Sequence, residues 1–574
     1  MPLALFAMAF QLQTASIGGQ GAPRADPASA ADSVRDARRA RDAQAWFERT
    51  RRSNLPWEGG AGDRCEVRLG RFCWWYDDYA PALPPENETI TKRRLELLAG
   101  LDSLARLHAG DDWLAGMRVH YRVDARQLDA ADSAARACRA THWWCDALVG
   151  YAAHVRGDAR LADSAFGAAL AAMDDSTRCR WSDIRTLLPN DARERYEELS
   201  CAERLPIERR YWMLGRPRLA APANEWRSEF FTRRVQSWLA ERSRTPHNMS
   251  WGSDAEELLL RYGWPVTWGR VQPASMASAF PEASIIGHDP SPSFLFAPRE
   301  ELLDSLAEAD DAGWDLRSRF GESRFAPRNV RRVAPVSAQF ARFRRGDSTL
   351  LAVSYAASDD SLGEMTSRLA ATIDDTLTIV GEPGSLRRGT AVLLLSRPPR
   401  LAGVEIADTS TGTLARNRVL YRADSGSMRL SLSDLLLYRA GAEPAAELDS
   451  ALARAIPGDT VSRDRPVGIY WETYGLTEAG ETVDVAVTVE RIDRSWFRRT
   501  RQALHLADED TPLRIRWTDA RAAATGIAAR AVSLDLANLP GGRYRFTLSL
   551  TPEGGAPVTS SREVELREVE LREP

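Results

Sequence analysis

The side chains of this sequence that could do chemistry are seven histidines, six cysteines and a series of adjacent acid pairs. His108, His120, His142 and His154 fall in a helical stretch, where a histidine ordinarily belongs to the surface or the core; His247, His288 and His505 lie beyond it. Ser250, Ser253 and Asp254 follow His247 within seven residues, the residue types of a hydrolytic triad. Any chain of this length offers such a trio by chance, and His288-Asp289 in a Pro-rich loop is as easily over-read. The acid pairs Asp77-Asp78, Asp111-Asp112, Asp174-Asp175, Asp310-Asp311, Asp359-Asp360 and Asp374-Asp375 sit mostly at turns and helix starts, where carboxylates accept backbone N–H bonds. None has the spacing of a calcium loop. The sequence contains no G-x-S-x-G elbow, H-E-x-x-H helix, phosphate loop or dinucleotide fingerprint, and no C-x-x-C knuckle or C-x-x-C-H haem site. No catalytic residue, metal ligand or cofactor is therefore expected.

The cysteines point to a compartment instead. Cys65, Cys73, Cys138, Cys145, Cys179 and Cys201 occupy one quarter of the 574 residues, and none follows. An even number so confined predicts local bridges, and pairing neighbours gives Cys65–Cys73, Cys138–Cys145 and Cys179–Cys201 among fifteen possible connectivities. Bridges imply an oxidising environment, and residues 1–25, with apolar Leu3–Phe10 and the small-x-small Ala7-Met8-Ala9, read as an export segment whose start is cut short. No apolar run is long enough for a spanning helix. With 76 basic against 80 acidic residues the net charge is −4, which gives no general pull toward nucleic acid or anionic lipid. Lys92 is the single lysine, a bias that fits a GC-rich coding sequence better than phosphate recognition.

The elements that must carry these residues divide near the middle of the chain. Residues 26–89 read as a charged helix followed by a Cys/Trp-rich segment, and residues 90–245 as helices. Ala-Asp-Ser-Ala occurs at 131–134 and again at 162–165, and around the second copy stand Gly150, Ala153, Gly157, Ala162, Phe166 and Ala169. Small residues at that spacing let antiparallel helices approach closely, and the pattern resembles the tetratricopeptide repeat. The same reading places Cys138 at the end of one helix and Cys145 at the start of the next.

Residues 246–327 hold the most specific local signature. Ser250-Trp251-Gly252-Ser253-Asp254 is followed eight residues after the Asp by Tyr262-Gly263-Trp264-Pro265. This resembles the motif of the GWxTD-domain proteins, bacterial proteins of largely unknown role, with Ser250 for Gly and Ser253 for Thr. The resemblance implies an envelope or secreted protein with no assigned activity. It also implies a strand after the motif, although Ala255-Glu-Glu-Leu-Leu-Leu260 favours a helix. Physically, Ser253 or Asp254 would cap that element and Gly263-Trp264-Pro265 would turn the chain, so a structural corner accounts for the motif without chemistry.

From residue 328 the period becomes two. Short strands over 328–440, a helical connector at 441–460, further strands over 461–567 and a tail at 568–574 predict antiparallel β-sandwiches of immunoglobulin-like form. Tyr544, in Leu539-Pro-Gly-Gly-Arg-Tyr544, is then a corner residue. The expected fold class is multidomain α + β, with a tetratricopeptide-like helical region followed by β-sandwich domains. The expected function is a non-catalytic exported scaffold that binds a peptide or protein partner of the envelope through its helices. The alternative is a secreted hydrolase of cell-wall or extracellular polymer, which needs a cleft gathering His247, His288 and an acid. Neither partner identity nor oligomeric state follows from the sequence.

Overall fold

The computed structural model describes residues 27–57, 67–74, 85–244, 246–270, 285–288, 325, 327, 330–357, 365–374, 378–421, 430–475, 482–492, 512–519, 526–553 and 555–568. Helices dominate the first part and sheets the second, an α + β organisation whose change falls close to the change of period at 328.

Helix α1 (Pro27–Ser53) buries Ala40, Gln44, Phe47, Glu48 and Arg51, spacings that put all five on one face. It packs on α2 (Glu88–Leu107), which turns Leu97, Leu98 and Leu101 inward. Two helix hairpins follow, α3 (Asp112–Asp124) with α4 (Leu128–Arg136), and α5 (His142–Arg156) with α6 (Ala159–Ala172). Asp111 and Asp158 start α3 and α6 by accepting from the amides of Leu114 and Leu161. Gly150 is where α5 meets α6: a Cβ there would stand 2.9 Å from the Phe166 ring. Ala153, Ala162 and Ala169 are buried in the same region, and Gly157 closes α5 with φ +88°. Gly116 plays the equivalent part in α3, against Trp144 and Leu239. Asp112 joins the two hairpins by accepting from the Thr141 amide at 2.8 Å and its hydroxyl at 3.0 Å.

Beyond them lie α7 (Asp175–Ser182), α8 (Asn190–Glu197), α9 (Cys201–Leu214), α10 (Glu225–Glu241) and α11 (Ser253–Tyr262). Helix α10 packs on α3, α5 and α6, and its Phe230, Phe231, Val235 and Leu239 complete their core. Two of the neighbouring cysteine pairs are bridged. Cys138–Cys145 spans the α4–α5 turn with Cα atoms 5.5 Å apart, and Cys179–Cys201 ties α7 to the start of α9 across 5.8 Å. Cys65 lies outside the described residues; Cys73 belongs to the hairpin of β1 (Val67–Leu69) and β2 (Phe72–Trp74). A second short pair, β3 (Thr267–Arg270) and β4 (Ile285–His288), follows α11.

The β-rich part opens with β5 (Arg332–Arg345), β6 (Ser348–Ala357), β7 (Met365–Thr372), β8 (Thr378–Val380), β9 (Arg388–Leu395), β10 (Leu401–Asp408) and β11 (Thr413–Leu420). They form one sheet in the order β8-β7-β10-β11-β5-β6-β9, antiparallel except where β11 runs alongside the start of β5. Next come β12 (Ser431–Leu432), β13 (Leu436–Arg439), α12 (Leu448–Leu452), β14 (Thr460–Ser462), β15 (Val467–Tyr474), β16 (Val483–Arg491), β17 (Leu513–Asp519), β18 (Ile527–Leu534), β19 (Gly542–Pro552) and β20 (Val558–Arg567). Strands β12, β13 and β18 pair with β15, while β14-β20-β19-β16-β17 make a five-stranded sheet. The sequence places Leu436–Arg439 with the first β unit, but it pairs with Val467–Tyr470 of the second sheet. The physical reason is burial on both faces of β15, whose Ile469 and Trp471 enter one core while Tyr470 enters another. Alternate residues Val483, Val485, Val487 and Val489 of β16, with Phe546, Leu548 and Leu550 of β19, supply the opposite wall of the first core.

The helices dock on the first sheet through the segment 216–220. Glu405 of β10 accepts from the Leu219 amide at 2.6 Å, the Ala220 amide at 3.0 Å and Arg418 Nη2 at 3.1 Å, and both side chains are buried. Arg418 Nη2 also donates to the carbonyls of Arg216 and Pro217.

Candidate functional site

A cavity of about 200 Å³ lies where α1, α3, α5, α10 and α11 converge. Two helices supply its polar floor by the same spacing. Gln44, Glu48 and Arg51 follow one another at i, i+4 and i+7 on α1, and Met117, His120, Tyr121 and Asp124 at i, i+3, i+4 and i+7 on α3. Helix α5 adds Tyr151, and Trp251, Leu259 and Trp264 close the side nearest α11.

The floor is a continuous network of hydrogen bonds and ion pairs. The Gln44 amide donates to the Tyr121 hydroxyl at 2.9 Å, and that hydroxyl donates to Glu48 Oε1 at 2.7 Å. Glu48 Oε2 accepts the His247 amide at 2.9 Å and lies 3.4 Å from Arg51 Nε. Arg51 Nη2 reaches Asp124 Oδ2 at 2.6 Å, as does Arg94 Nε at 2.6 Å. Gln44 also pins the chain leaving α10, donating to the Arg244 carbonyl at 2.7 Å and accepting its amide at 3.1 Å.

Burial sets the protonation of these groups. It pushes the Glu48 carboxyl up, against the pull of Arg51 and the Tyr121 hydroxyl. Burial opposes charge on Asp124 too, but Arg51 and Arg94 outweigh it and hold that carboxyl below the usual range. His120 is pushed down to about 4, chiefly by burial, so it is neutral at pH 7. Its Nδ1 lies 3.3 Å from the Tyr151 hydroxyl. Burial and Arg51 likewise hold the His247 imidazole well below its ordinary range.

The 250–265 motif borders this cavity. Trp251 and Trp264 line it, and Trp264 stacks on Trp268 with ring centroids 5.5 Å apart. The segment after the motif is helix α11 rather than the strand that the resemblance implies, because Ala255, Leu258, Leu259 and Tyr262 carry a helical apolar face. Neither Ser253 nor Asp254 is its N-cap; Gly252 occupies that place, with its carbonyl accepting the Glu256 amide. Asp254 turns instead to the β1–β2 hairpin. Arg71 Nε donates to Asp254 Oδ2 and Arg71 Nη2 to Oδ1, both at 2.7 Å, the Arg71 amide adds a bond to Oδ2 at 3.1 Å, and Arg71 Nη2 also donates to the Ser250 carbonyl. These bonds from Arg71 lower Asp254 to about 2. Gly70, with φ +52°, leaves the space that the Asp254 side chain occupies. At the other end Tyr262 is buried, Gly263 takes φ +80°, and the Pro265 carbonyl accepts Trp268 Nε1 at 2.8 Å.

The hydrolytic trio does not assemble at His247. Its ring lies 4.7 Å from that of Trp268, no hydrogen bond joins it to Ser250, Ser253 or Asp254, and Nδ1 has no hydrogen-bond partner among the described residues. The backbone of His288 pairs with Thr267, and its side chain lies outside the described residues. Among the described residues no group of three or more His, Cys, Asp or Glu is placed to hold a metal ion, and no helix is long and apolar enough to cross a membrane. The sequence reading missed Gln44, Glu48, Arg51, Tyr121 and Asp124. The i, i+4, i+7 stripe on α1 was the available signal, but polar residues at that spacing look like a solvated face.

No family model matches the chain, and no curated protein matches it. Among solved structures, red sea bream transglutaminase aligns with 40% of this chain and 31% of its own length, at 11% identity and a TM-score of 0.13. A likeness that slight carries no argument about fold or activity, and the chain spans about a third of that protein's length.

Proposed function

We propose that this chain is a non-catalytic scaffold or interaction protein of the bacterial cell envelope, exported, GWxTD-like in its centre, and binding a peptide or protein partner through tetratricopeptide-like helices. The observation that carries the reading is the use made of the motif: Asp254 is consumed by Arg71, and the two indoles are wall residues, so its polar group fastens a hairpin and leaves no acid for a reacting atom. Two hairpins whose glycines meet aromatic rings, Gly150 on Phe166 and Gly116 on Trp144, support the repeat reading. Two sheets with one core, and a Tyr544 hydroxyl that donates to the Pro540 carbonyl at 2.8 Å, support an immunoglobulin-like second β unit. The bridges Cys138–Cys145 and Cys179–Cys201 support an oxidising compartment.

The test uses protein purified from its native host. Its cysteines should alkylate only after reduction, it should release no fragments from cell-wall polymer, and in-cell photocrosslinkers on the outer surfaces of α4 and α6 should capture one envelope component saturably. Turnover of the polymer, or thiols that alkylate directly, would overturn the reading.

A further inference from the structure

We propose that the cavity between α1, α3, α5 and α11 is a binding site for a small aromatic monocarboxylate, whose ring lies against Trp251 and Trp264 and whose carboxylate meets Arg244. This goes beyond partner binding by the outer surfaces of the helices and does not depend on it.

Size comes first. At about 200 Å³ the cavity exceeds the apolar cavity of about 150 Å³ known to admit benzene, and it falls short of a drug-sized pocket. A six-membered ring with a short side chain fits; a nucleotide or a peptide segment does not.

The walls decide the body of the ligand. Met117, Leu239 and Leu259 are buried apolar surfaces, and the indoles of Trp251 and Trp264 are flat faces. Trp264 is held in place by its stack on Trp268, so this surface is formed before a ligand arrives.

Charge then decides the head group. Both acids of the floor are committed: Asp124 to Arg51 and Arg94, and Glu48 to Tyr121, the His247 amide and Arg51. Among the described residues no carboxylate is left to receive an ammonium, which argues against an amine or a free amino acid. The cations are not all committed. Arg51 is spent on the acids, whereas the exposed Arg244 side chain makes no ion pair or hydrogen bond among the described residues. Its backbone is fixed by Gln44, and the residue is one of those that line the cavity, so its side chain starts at the cavity's edge. Two further donors line the cavity without acceptors among the described residues. One is the Trp264 indole N–H. The other is His120: when the Tyr151 hydroxyl, 3.3 Å from Nδ1, gives its proton to that nitrogen, the neutral ring keeps an N–H at Nε2. A cavity whose described lining has spare donors, spare positive charge and no spare carboxylate selects an anion.

Calorimetric titration of the full chain with phenylacetate and with phenylacetamide tests this, on wild type, Arg244→Gln and Leu259→Trp. Phenylacetate should bind saturably, about tenfold more tightly than the amide, as one charge-assisted contact warrants. Arg244→Gln, a change at an exposed side chain, should bring the two to equal affinity while leaving the thermal melt unchanged. Leu259→Trp should abolish binding by filling the space; if that variant fails to fold, the Arg244→Gln comparison decides alone. No saturable binding up to about 10 mM, equal binding of acid and amide by wild type, or undiminished phenylacetate binding by Arg244→Gln would overturn the proposal.

Discussion

Replacing Gly150 by alanine pits two opposite effects against each other, and the geometry of the α5–α6 contact decides which wins. In a helix interior the change should stabilise by ~1 kcal/mol, because alanine loses less backbone entropy than glycine. Here the added methyl would stand 2.9 Å from three atoms of the Phe166 ring, closer than packed carbons tolerate. Phe166 is 1% exposed, and Phe231 stands behind it at 5.6 Å between centroids, so the ring has nowhere to retreat. Overpacking of this kind costs ~1–3 kcal/mol, leaving a net destabilisation of up to ~2 kcal/mol. Gly167, one residue after that phenylalanine, has nothing within 4 Å of its hypothetical Cβ, so Gly167→Ala should stabilise by ~0.5–1 kcal/mol. Urea unfolding followed by helical circular dichroism reads both, and adding Phe166→Leu to Gly150→Ala should recover part of the loss. A Gly150→Ala protein as stable as wild type, beside a destabilised Gly167→Ala, would refute the packing argument.

Asp254→Asn should lower stability at pH 7 by ~1–2 kcal/mol, the depression of the carboxyl to about 2 being discounted for the partly exposed Arg71. The sign follows from the depressed value. The contribution is complete above the ordinary carboxyl range near pH 4 and is lost as the pH falls toward about 2, so the gap between variant and wild type in urea midpoints should close over that interval. A gap that stays constant with pH would show that the Arg71 bonds do not carry it. Glu405→Ala should cost ~3–5 kcal/mol, because it strips a buried acceptor from Arg418 and from the amides of Leu219 and Ala220. Limited proteolysis should then cut within 216–224 before either flanking unit, and an unchanged cleavage pattern would contradict that docking role.

What the sequence disclosed was mostly what depends on local pattern. The helical hairpin around Gly150 and Phe166 was readable because its small and large residues recur at fixed spacing, and the alternation of Val483, Val485, Val487 and Val489 announced a strand with one buried face. The cavity was not readable. Its floor joins Glu48 to Tyr121 and Arg51 to Asp124, pairs separated by 73 positions, and burial of such charges is visible only once α1 lies against α3. Asp254 misled for a related reason: a carboxylate beside a helix start ordinarily caps it, and its partner Arg71 stands 183 positions away. The assignment of Leu436–Arg439 failed because a strand carries no mark of which sheet it will join.

The pairing of β14 has a consequence for how the protein is made. Thr460–Ser462 finds its strand partner in Val558–Arg567, in parallel register, and Val461 is buried in the core that this sheet helps to form. At 5–20 residues per second, the roughly 100 intervening residues take about 5–20 s to emerge. For that interval the five-stranded sheet is open along the flank that β20 will fill, and β19, whose Phe546 and Leu548 already face the core, meets β20 only at the end. A nascent chain halted after Pro552 and before Val558, with β19 made and β20 not, would therefore expose a sticky apolar edge, which makes this the stage of synthesis at which a holding chaperone has most to do.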